Sequence, residues 1–397
     1  MSFADRITRV KPSPTLATAA KAAALKAQGI SVINFSVGEP DFDTPDHIKE
    51  ACIQALHAGA TKYGPVPGLL KLREAICAKL QRNNALTYQP EDIIVTCGAK
   101  EALFAALQVL VNPGDAVIIP APYWVSYSDQ VLMCDGTPQI MTIPASQGFK
   151  LTPDILRAAC TANSKVLMLN SPCNPSGIVY SREELAALAK VCAEKNLWVI
   201  SDEIYEDLTY APAKFCSFGT AAPHLRERTI IISGLSKSFA MTGWRLGWAA
   251  GPRACIAQMN TWQGQVTSHA TAFAQHGAIA AYTGPQEPLR YMQRAFGERR
   301  EVIVNTLAKI PHVKLVKPDG AFYAFPDVSA YVGKSANGVK IPDTNALANF
   351  LLEEARIAVV AGEGFGAPGF LRFSYALSME ELQEGLKRFA NALAKLA

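Results

Sequence analysis

The sequence has no pair of cysteines at the Cys-x-x-Cys spacing that zinc sites and disulfide oxidoreductases use. Its nine cysteines are spread along the chain and lie mostly inside apolar segments, as Cys52, Cys97, Cys173 and Cys255 do. Cysteines in such settings are typically small buried thiols of proteins from a reducing compartment. The cysteine pattern therefore predicts no metal site and favours a cytoplasmic protein.

Long apolar runs and blocks of like charge are also missing. No stretch approaches the ~18 uninterrupted apolar residues of a transmembrane helix, and the first six residues lack the apolar core of a signal peptide. The 38 basic and 34 acidic residues are scattered and give a formal net charge of +4. We therefore expect neither a membrane nor a nucleic acid as a partner.

What is present is a long chain in which strands and helices alternate. Its 397 residues exceed what one core usually supports, so two lobes are expected. Apolar runs predict strands at 93–96, 115–120, 166–169, 198–202 and 229–232, with helices between them. This alternation predicts an α/β fold with a mainly parallel sheet flanked by helices, and a ligand at the carboxyl ends of the strands.

The last third of the chain has a different pattern. A helical tract at about 252–282, broken by glycine and polar residues, precedes a charged amphipathic helix at about 287–307. Short strands at 322–325, 357–360 and 370–373 and helices near 344–354 and 378–396 follow. We predict three regions: an N-terminal arm with part of the small domain at 1–45, a large domain at 46–288, and a small α+β domain at 289–397.

The stretch from Ser233 to Trp248 carries the most informative residues. It follows the apolar run Thr229–Ile232, so Lys237 comes directly out of a predicted buried strand. Most lysines at strand ends are simply solvated. Here few acids are close in sequence and Arg245 adds a second cation, which favours a neutral amine able to form a Schiff base with a carbonyl. The planar guanidinium of Arg245 suits a phosphate.

The segment Gly234–Gly247 resembles the active-site lysine signature of fold-type I, class I pyridoxal-phosphate-dependent aminotransferases. Within that family it is most similar to the bacterial aspartate aminotransferases, some of which also accept prephenate. The resemblance extends over 10–375 and implies the large and small lobes of that fold. It also implies that Lys237 carries pyridoxal 5′-phosphate covalently and that Arg245 binds the phosphate of this cofactor.

The phosphate has further candidate ligands. Gly98, Ala99 and Lys100 turn a predicted strand into a helix, and the free N–H groups at such a start form a seat for phosphate. Gly234 departs from the family pattern, because several relatives have a phosphate-binding serine at this position. Either the phosphate has fewer hydroxyl contacts here, or Ser236 takes the place of that serine.

The resemblance also implies contacts to the ring of the cofactor. Trp124 is expected to stack on the pyridine, and Asn174 and Tyr205 to face its phenolic oxygen, while Trp124 and Asn174 also border the substrate. Asp202 ends a predicted buried strand, where a carboxylate needs a cation, and the protonated pyridine nitrogen would supply one. The residue that matches Tyr63 in relatives reaches the neighbouring subunit's phosphate, which implies a homodimer with shared active sites.

The substrate contacts follow from the same comparison. Arg372 lies between apolar residues on a predicted strand and is expected to bind the α-carboxylate bidentately. Gly38 is expected to bring its backbone N–H beside the substrate. Lys100 and Lys11, the latter on the N-terminal arm, are candidates for a distal carboxylate of the substrate, and a solvated charge is the alternative for Lys100.

These residues together predict an enzyme that moves the amino group of L-aspartate to 2-oxoglutarate by a ping-pong reaction. The products are oxaloacetate and L-glutamate, prephenate is a further substrate, and Lys237, Asp202 and Tyr205 are the expected catalytic residues. The partners are then small amino acids and 2-oxo acids.

Several alternatives stay open. On the same fold they are an aminotransferase for aromatic amino acids or alanine and a carbon–sulfur lyase. A non-enzymatic pyridoxal-phosphate sensor is disfavoured, because no DNA-binding module precedes the catalytic lobe. A nicotinamide dehydrogenase is disfavoured too, because the glycines at 362–366 lack the full dinucleotide spacing and precede a predicted strand.

Overall fold

The computed structural model describes residues 3–12, 14–336 and 338–396. Within them the helices are α1 (Asp5–Thr8), α2 (Pro14–Ala27), α3 (Asp46–His57), α4 (Leu70–Asn84), α5 (Ala99–Leu110), α6 (Ser126–Met133), α7 (Pro153–Ala159), α8 (Arg182–Glu194), α9 (Phe218–Ala221), α10 (Arg253–Val266), α11 (Ala272–Thr283), α12 (Glu287–Leu307), α13 (Thr344–Glu354) and α14 (Met379–Leu393). The strands are β1 (Ile33–Asn34), β2 (Ile93–Thr96), β3 (Ala116–Ala121), β4 (Thr137–Thr142), β5 (Ser164–Asn170), β6 (Trp198–Asp202), β7 (Thr229–Gly234), β8 (Gly247–Ala250), β9 (Tyr323–Ala324), β10 (Ser335–Ala336), β11 (Val339–Lys340), β12 (Ile357–Ala358), β13 (Val360–Ala361) and β14 (Leu371–Ser374). Positions 1, 2, 13, 337 and 397, which belong to the predicted arm and small domain, lie outside the described residues.

The large central sheet has the strand order β2-β8-β7-β6-β5-β3-β4. Only β8 among these strands runs antiparallel to its neighbours, and the other pairings are parallel. The inner strands are almost entirely buried because helices cover both faces, which explains their continuous apolar runs. This architecture confirms the predicted α/β class.

Three smaller sheets of the described residues contain strands from the C-terminal part. One is antiparallel, in the order β13-β14-β9, one pairs β1 with β12 in parallel, with Ile33 opposite Ile357, and one pairs β10 with β11 in antiparallel. The prediction of a single strand at 357–360 is wrong, because the chain changes sheets at Val359 and leaves β12 and β13 in different sheets. A uniformly apolar buried run gives no periodic signal for such a change. The predicted domain boundaries stay predictions.

The helices from residue 252 onward lead from the large sheet to the C-terminal part. The tract predicted at about 252–282 is two helices, α10 and α11, and Ser268 between them has a φ of +63°. The next helix, α12, has the predicted bounds and begins with a proline in its first turn, where no hydrogen-bond donor is needed. Among the described residues, every helix is too short or too polar to cross a membrane.

Candidate active site

A cleft of about 460 Å³ lies at the carboxyl ends of β5, β6 and β7 and is closed on another side by the start of α5. Most of the predicted site residues line it together. They are Gly38, Ala99, Lys100, Trp124, Asn174, Asp202, Tyr205, Ser236, Lys237, Arg245 and Arg372. The position agrees with the general rule that open α/β sheets bind ligands beyond the carboxyl ends of their strands.

Lys237 follows β7 and reaches the cleft from the loop that leads to β8. Its Nζ donates a hydrogen bond of 2.5 Å to the carbonyl oxygen of Gly38. Burial lowers the pKa of Lys237 to about 8; the cations Arg372 and Arg245 act in the same direction, and the carboxylate of Glu39 opposes them. A free amine is therefore available close to neutral pH.

Asp202 is the last residue of β6 and is 4% exposed. Its Oδ2 accepts a hydrogen bond of 2.6 Å from the hydroxyl of Tyr127, and its Oδ1 accepts one of 3.2 Å from the backbone N–H of Ile204. Burial raises the pKa of Asp202 to about 6, and the bond from Tyr127 opposes this rise. The site therefore holds a buried carboxyl whose ionised form a cationic ligand would stabilise.

The start of α5 forms an anion seat with Arg245. Gly98, just before the helix, has a φ of +88°, and a methyl group on it would lie 2.5 Å from Nη2 of Arg245. Arg245 itself donates to the carbonyl oxygens of Thr242 at 2.8 Å and Cys97 at 3.4 Å. The free N–H groups and positive dipole end of α5 thus lie against a guanidinium, which is suitable chemistry for a phosphate.

Arg372 lies on β14 with its side chain almost completely buried. Its Nη1 donates to Oδ1 of Asn174 at 3.0 Å, and its Nη2 donates to the carbonyl oxygen of Ser36 at 2.6 Å. The guanidinium lies 4.7 Å from the ring centroid of Tyr323. Within the described residues its Nε is buried and has no hydrogen-bond partner. The arginine is thus fixed on two sides and retains donor capacity for a carboxylate.

Lys100, in the first turn of α5, and Trp124 lie together in the lining of the cleft. The Nζ of Lys100 is 4.8 Å from the centroid of the Trp124 ring, and the edge of that ring packs against Tyr127, with centroids 5.5 Å apart. Burial of the ammonium lowers the pKa of Lys100, and the charge of Arg245 lowers it further. Much of the Lys100 side chain is nevertheless exposed, so its charge is open to a ligand.

Two predicted residues lie outside the cleft of their own chain. Tyr63 is 93% exposed, and its ring meets the edge of the His269 ring with centroids 5.9 Å apart. Lys11 lies beside the carboxyl of Asp129 on α6. The roles predicted for Tyr63 and Lys11 stay predictions.

Gly234, the position that departs from the family pattern, is paired with Gly247 across β7 and β8. A methyl group on Gly234 would lie 2.9 Å from both the Cα of Gly247 and the carbonyl oxygen of Leu246. A serine is therefore excluded here by the close approach of two backbones. Ser236 lies in the cleft wall and is buried.

Tyr127, Asn170 and Tyr323 are among the residues of the site that carry no predicted role. Tyr127 bonds Asp202, and Asn170 links the same strand ends, donating to the carbonyl oxygen of Asp202 at 3.0 Å and accepting from the N–H of Asn174 at 2.8 Å. Tyr323 lines the cleft beside Arg372. Asn170 and Tyr127 could have been found from the sequence, since each follows a predicted strand whose carboxyl end faces the expected ligand. Nothing in the sequence singles out Tyr323, which lies inside an apolar run.

Comparison with known proteins identifies the family. The model of aminotransferase classes I and II matches residues 30–389. The aspartate aminotransferase of Geobacillus stearothermophilus is 46% identical over 98% of each chain, and the aspartate/prephenate aminotransferase of Cereibacter sphaeroides is 46% identical over 100% of each. The crystal structure of the aspartate aminotransferase from Rhizobium meliloti superposes with a TM-score of 0.96 at 41% identity, over 100% of both chains. That of Thermus thermophilus with maleate gives 0.93 at 40% identity, over 99% of this chain and 100% of that one.

These matches confirm the resemblance drawn from the lysine segment. The region matched by the family model, 30–389, includes the lysine segment and every cleft residue from Gly38 to Arg372. The cofactor of class I aspartate aminotransferases is pyridoxal 5′-phosphate. The chain is therefore an enzyme that belongs to the class I and II aminotransferases.

Proposed function

We propose that this enzyme transfers the amino group of L-aspartate to 2-oxoglutarate in a ping-pong reaction, giving oxaloacetate and L-glutamate, with prephenate as a further substrate. The observation that carries the proposal is the presence of two separate cations in one cleft with Lys237. Arg372 suits the α-carboxylate and Lys100 suits a distal one. The names of the relatives from Geobacillus and Cereibacter support the same substrates.

The side chains of the cleft fit pyridoxal 5′-phosphate. Arg245, Ser236 and the start of α5 at Gly98, Ala99 and Lys100 would hold the phosphate, and Trp124 would cover the ring. Asp202 would face the ring nitrogen, with Asn174 and Tyr205 at the phenolic oxygen. The fit is supported by the buried carboxyl of Asp202, which forms no ion pair with any described residue, and by the anion seat at α5. When bound, the cofactor supplies an electron sink for the bond that breaks at the substrate Cα.

The chain's own residues account for the remaining chemistry. The free amine of Lys237 would remove the proton from Cα of the amino donor as a general base and, in the second half-reaction, deliver a proton as a general acid to the Cα that receives the amino group. Asp202, when ionised, stabilises a positive charge on the ring nitrogen. Arg372 holds the α-carboxylate and so fixes which bond at Cα faces Lys237. The backbone of Gly38, which accepts the Lys237 hydrogen bond, borders the same space.

The active unit in this proposal is a homodimer in the cytoplasm. Tyr63, which is 93% exposed, would serve the phosphate of the neighbouring subunit. The free thiols of the nine cysteines suit a reducing compartment. Sedimentation at assay concentration tests the dimer, and a fully active monomer would rule it out.

Lys237→Ala tests the chemistry of the site. Borohydride reduction of the wild-type holoenzyme, followed by peptide mapping, should label Lys237, and the variant should show no label and lose nearly all turnover. Lys195→Ala, an exposed lysine on the far end of α8, should behave as wild type. A label on another peptide would overturn the assignment of Lys237.

The choice of substrate is tested with a panel of amino donors, each assayed with 2-oxoglutarate. The proposal expects the highest kcat/KM with aspartate. A higher kcat/KM with alanine or an aromatic donor would identify that amino acid, and not aspartate, as the amino donor. Release of a sulfur compound and pyruvate from a thioether amino acid would instead identify a carbon–sulfur lyase.

A further inference from the structure

The hydroxyl of Tyr323 lies where several residues of the cleft come close together. It lies 2.7 Å from the hydroxyl of Tyr205, and the ring beneath it lies 4.7 Å from the guanidinium carbon of Arg372. A methyl group on Gly38 would come within 2.6 Å of the same hydroxyl. Tyr323 is 1% exposed, so this arrangement is fixed by packing on all sides. The absence of a side chain at Gly38 is what leaves room for it.

The direction of the bond between the two tyrosines follows from counting protons. A phenol has one O–H to donate and can accept further bonds on its oxygen. If Tyr205 donates to the phenolic oxygen of the cofactor, it has no proton left for Tyr323. The bond of 2.7 Å must then run from Tyr323 to Tyr205. A donor that itself accepts a hydrogen bond is polarised and donates more strongly.

Burial of the pair keeps both phenols protonated. Burial raises the pKa of Tyr205 well above its ordinary value. Burial also raises the pKa of Tyr323, against the positive charge of Arg372. Asp202 raises the pKa of Tyr205, and the Lys237 ammonium lies 5.8 Å from its ring. Both hydroxyls are thus available as donors over the working pH range.

We infer that Tyr323 is a positioning residue of the transamination site, whose hydroxyl donates to Tyr205 and thereby directs the Tyr205 proton at the phenolic oxygen of bound pyridoxal phosphate. The inference rests on the proposed function and extends it by one residue. Tyr323 does not touch the reacting atoms in this scheme. It acts through Tyr205.

The test is a pH titration of the holoenzyme in the absence of substrate, monitored by its visible absorption. The midpoint reports the proton balance between the cofactor's phenolic oxygen and the nitrogen of Lys237. A donor to the phenolic oxygen stabilises its anionic form and lowers the midpoint. Tyr205→Phe removes that donor and Tyr323→Phe only weakens it, so Tyr323→Phe should raise the midpoint by about half a pH unit and Tyr205→Phe by more.

A double-mutant cycle separates the proposed route from other effects. If Tyr323 acts through Tyr205, Tyr323→Phe will not shift the midpoint when Tyr205 is already phenylalanine. Tyr331→Phe is the matched control, since it removes a buried hydroxyl that bonds the carbonyl oxygen of Pro311, outside the cleft. It should leave the midpoint unchanged.

The alternative outcomes are distinct. An unshifted midpoint in Tyr323→Phe, or an equal shift with and without the Tyr205 hydroxyl, would overturn the inference. If Tyr323→Phe does not yield folded holoenzyme, Gly38→Ala displaces the same hydroxyl and should raise the midpoint likewise, and an unchanged midpoint there would overturn it too. A wild-type protein without visible absorption after incubation with pyridoxal phosphate would instead refute the proposed function.

Discussion

The hydroxyl of Tyr127 donates a hydrogen bond of 2.6 Å to Oδ2 of Asp202. It joins α6, which follows β3, to the end of β6, and so connects two sides of the cleft. Because the acceptor is a buried carboxyl, the bond favours its ionised form. The Tyr127 hydroxyl therefore controls the charge of the residue proposed to face the ring nitrogen.

Tyr127→Phe should change the pH range in which the cofactor binds. Asp202 has a pKa of about 6 in the folded protein, and the bond from Tyr127 holds it down. Below this pKa the carboxyl is neutral and cannot pair with a protonated ring nitrogen, so affinity for pyridoxal phosphate should fall as the pH drops through about 6. Without the hydroxyl, the pKa rises further and the fall should begin about one pH unit higher.

Equilibrium dialysis of the cofactor between pH 5 and 8 measures this shift, with about 0.2-unit precision sufficient to resolve it. Tyr88→Phe, a change at a buried tyrosine remote from the cleft lining, is the control and should keep the wild-type profile. Identical profiles for Tyr127→Phe and wild type would contradict the prediction.

The stability of the cofactor-free protein should decline with pH because of Glu203. Burial raises the pKa of this carboxyl to about 7 from an ordinary value of 4.5, and the nearby Glu206 adds to the rise. Between these two pH values the folded chain holds a proton that the unfolded chain has lost, so the unfolding free energy falls as the pH rises. Above pH 7 the loss reaches at most about 3 kcal/mol.

Glu203→Gln should remove this part of the pH dependence. Oε1 of Glu203 accepts hydrogen bonds from Ser201, Ser217 and the N–H of Phe218, and the amide oxygen of glutamine preserves an acceptor there. Urea unfolding at pH 5 and pH 8, at one protein concentration, gives the difference for the variant, wild type and the exposed control Glu227→Gln. If the unfolding free energy of Glu203→Gln falls between pH 5 and pH 8 as much as that of wild type, the decline is caused by other groups.

Lys100→Ala should impair reaction with aspartate more than with an uncharged donor. The ammonium lies in the cleft over Trp124, where a distal carboxylate would pair with it. Loss of such a partner costs about 2–5 kcal/mol of binding. Lys11→Ala, assayed in parallel with aspartate and with alanine or phenylalanine, tests the second candidate for the distal carboxylate in the same way. Equal loss with every donor in Lys100→Ala would make this lysine structural.

Gly234→Ser should destabilise the protein instead of adding a phosphate ligand. Its new Cβ would lie 2.9 Å from backbone atoms of the adjacent strand β8, which have no room to move. Strain of this kind costs about 1–3 kcal/mol. Gly243→Ser is the matched control, since no atom lies within 4 Å of its new Cβ. A Gly234→Ser variant as stable as the control and with tighter cofactor binding would refute the argument.

The sequence alone predicted the elements whose signals are local. The helix α8 begins at a capping box formed by Ser181 and Glu184, and α12 has the predicted bounds because of its long amphipathic pattern. The inner strands have continuous apolar runs. Strand β4 was not predicted, since it is an edge strand whose residues alternate between exposed and half-buried positions. Strand β8 is four residues long and overlaps the end of the lysine segment, where no separate strand is predicted.

A site residue can be predicted from the sequence where its position at a strand end or inside a buried strand is enough to indicate its role. Lys237, Asp202 and Arg372 each belong to a strand end or a buried strand, and the sequence shows this directly. Tyr323 could not be predicted, because its importance comes from Gly38 and Tyr205, which approach it only in three dimensions. Lys11 does not line the cleft of the described chain, and its role stays a prediction.

The segment that follows β1 holds residues of two different parts of the site. The carbonyl oxygen of Ser36 accepts a bond from Arg372, and that of Gly38 accepts one from Lys237, across 336 and 199 residues of chain. If this segment detaches locally, both cations lose a partner at the same time. Asp202 and Arg245 keep theirs, which are the hydroxyl of Tyr127 and the carbonyl oxygen of Cys97. Local opening of one short segment would therefore disturb substrate anchoring and the amine together, and would leave the phosphate seat and the buried carboxyl in place.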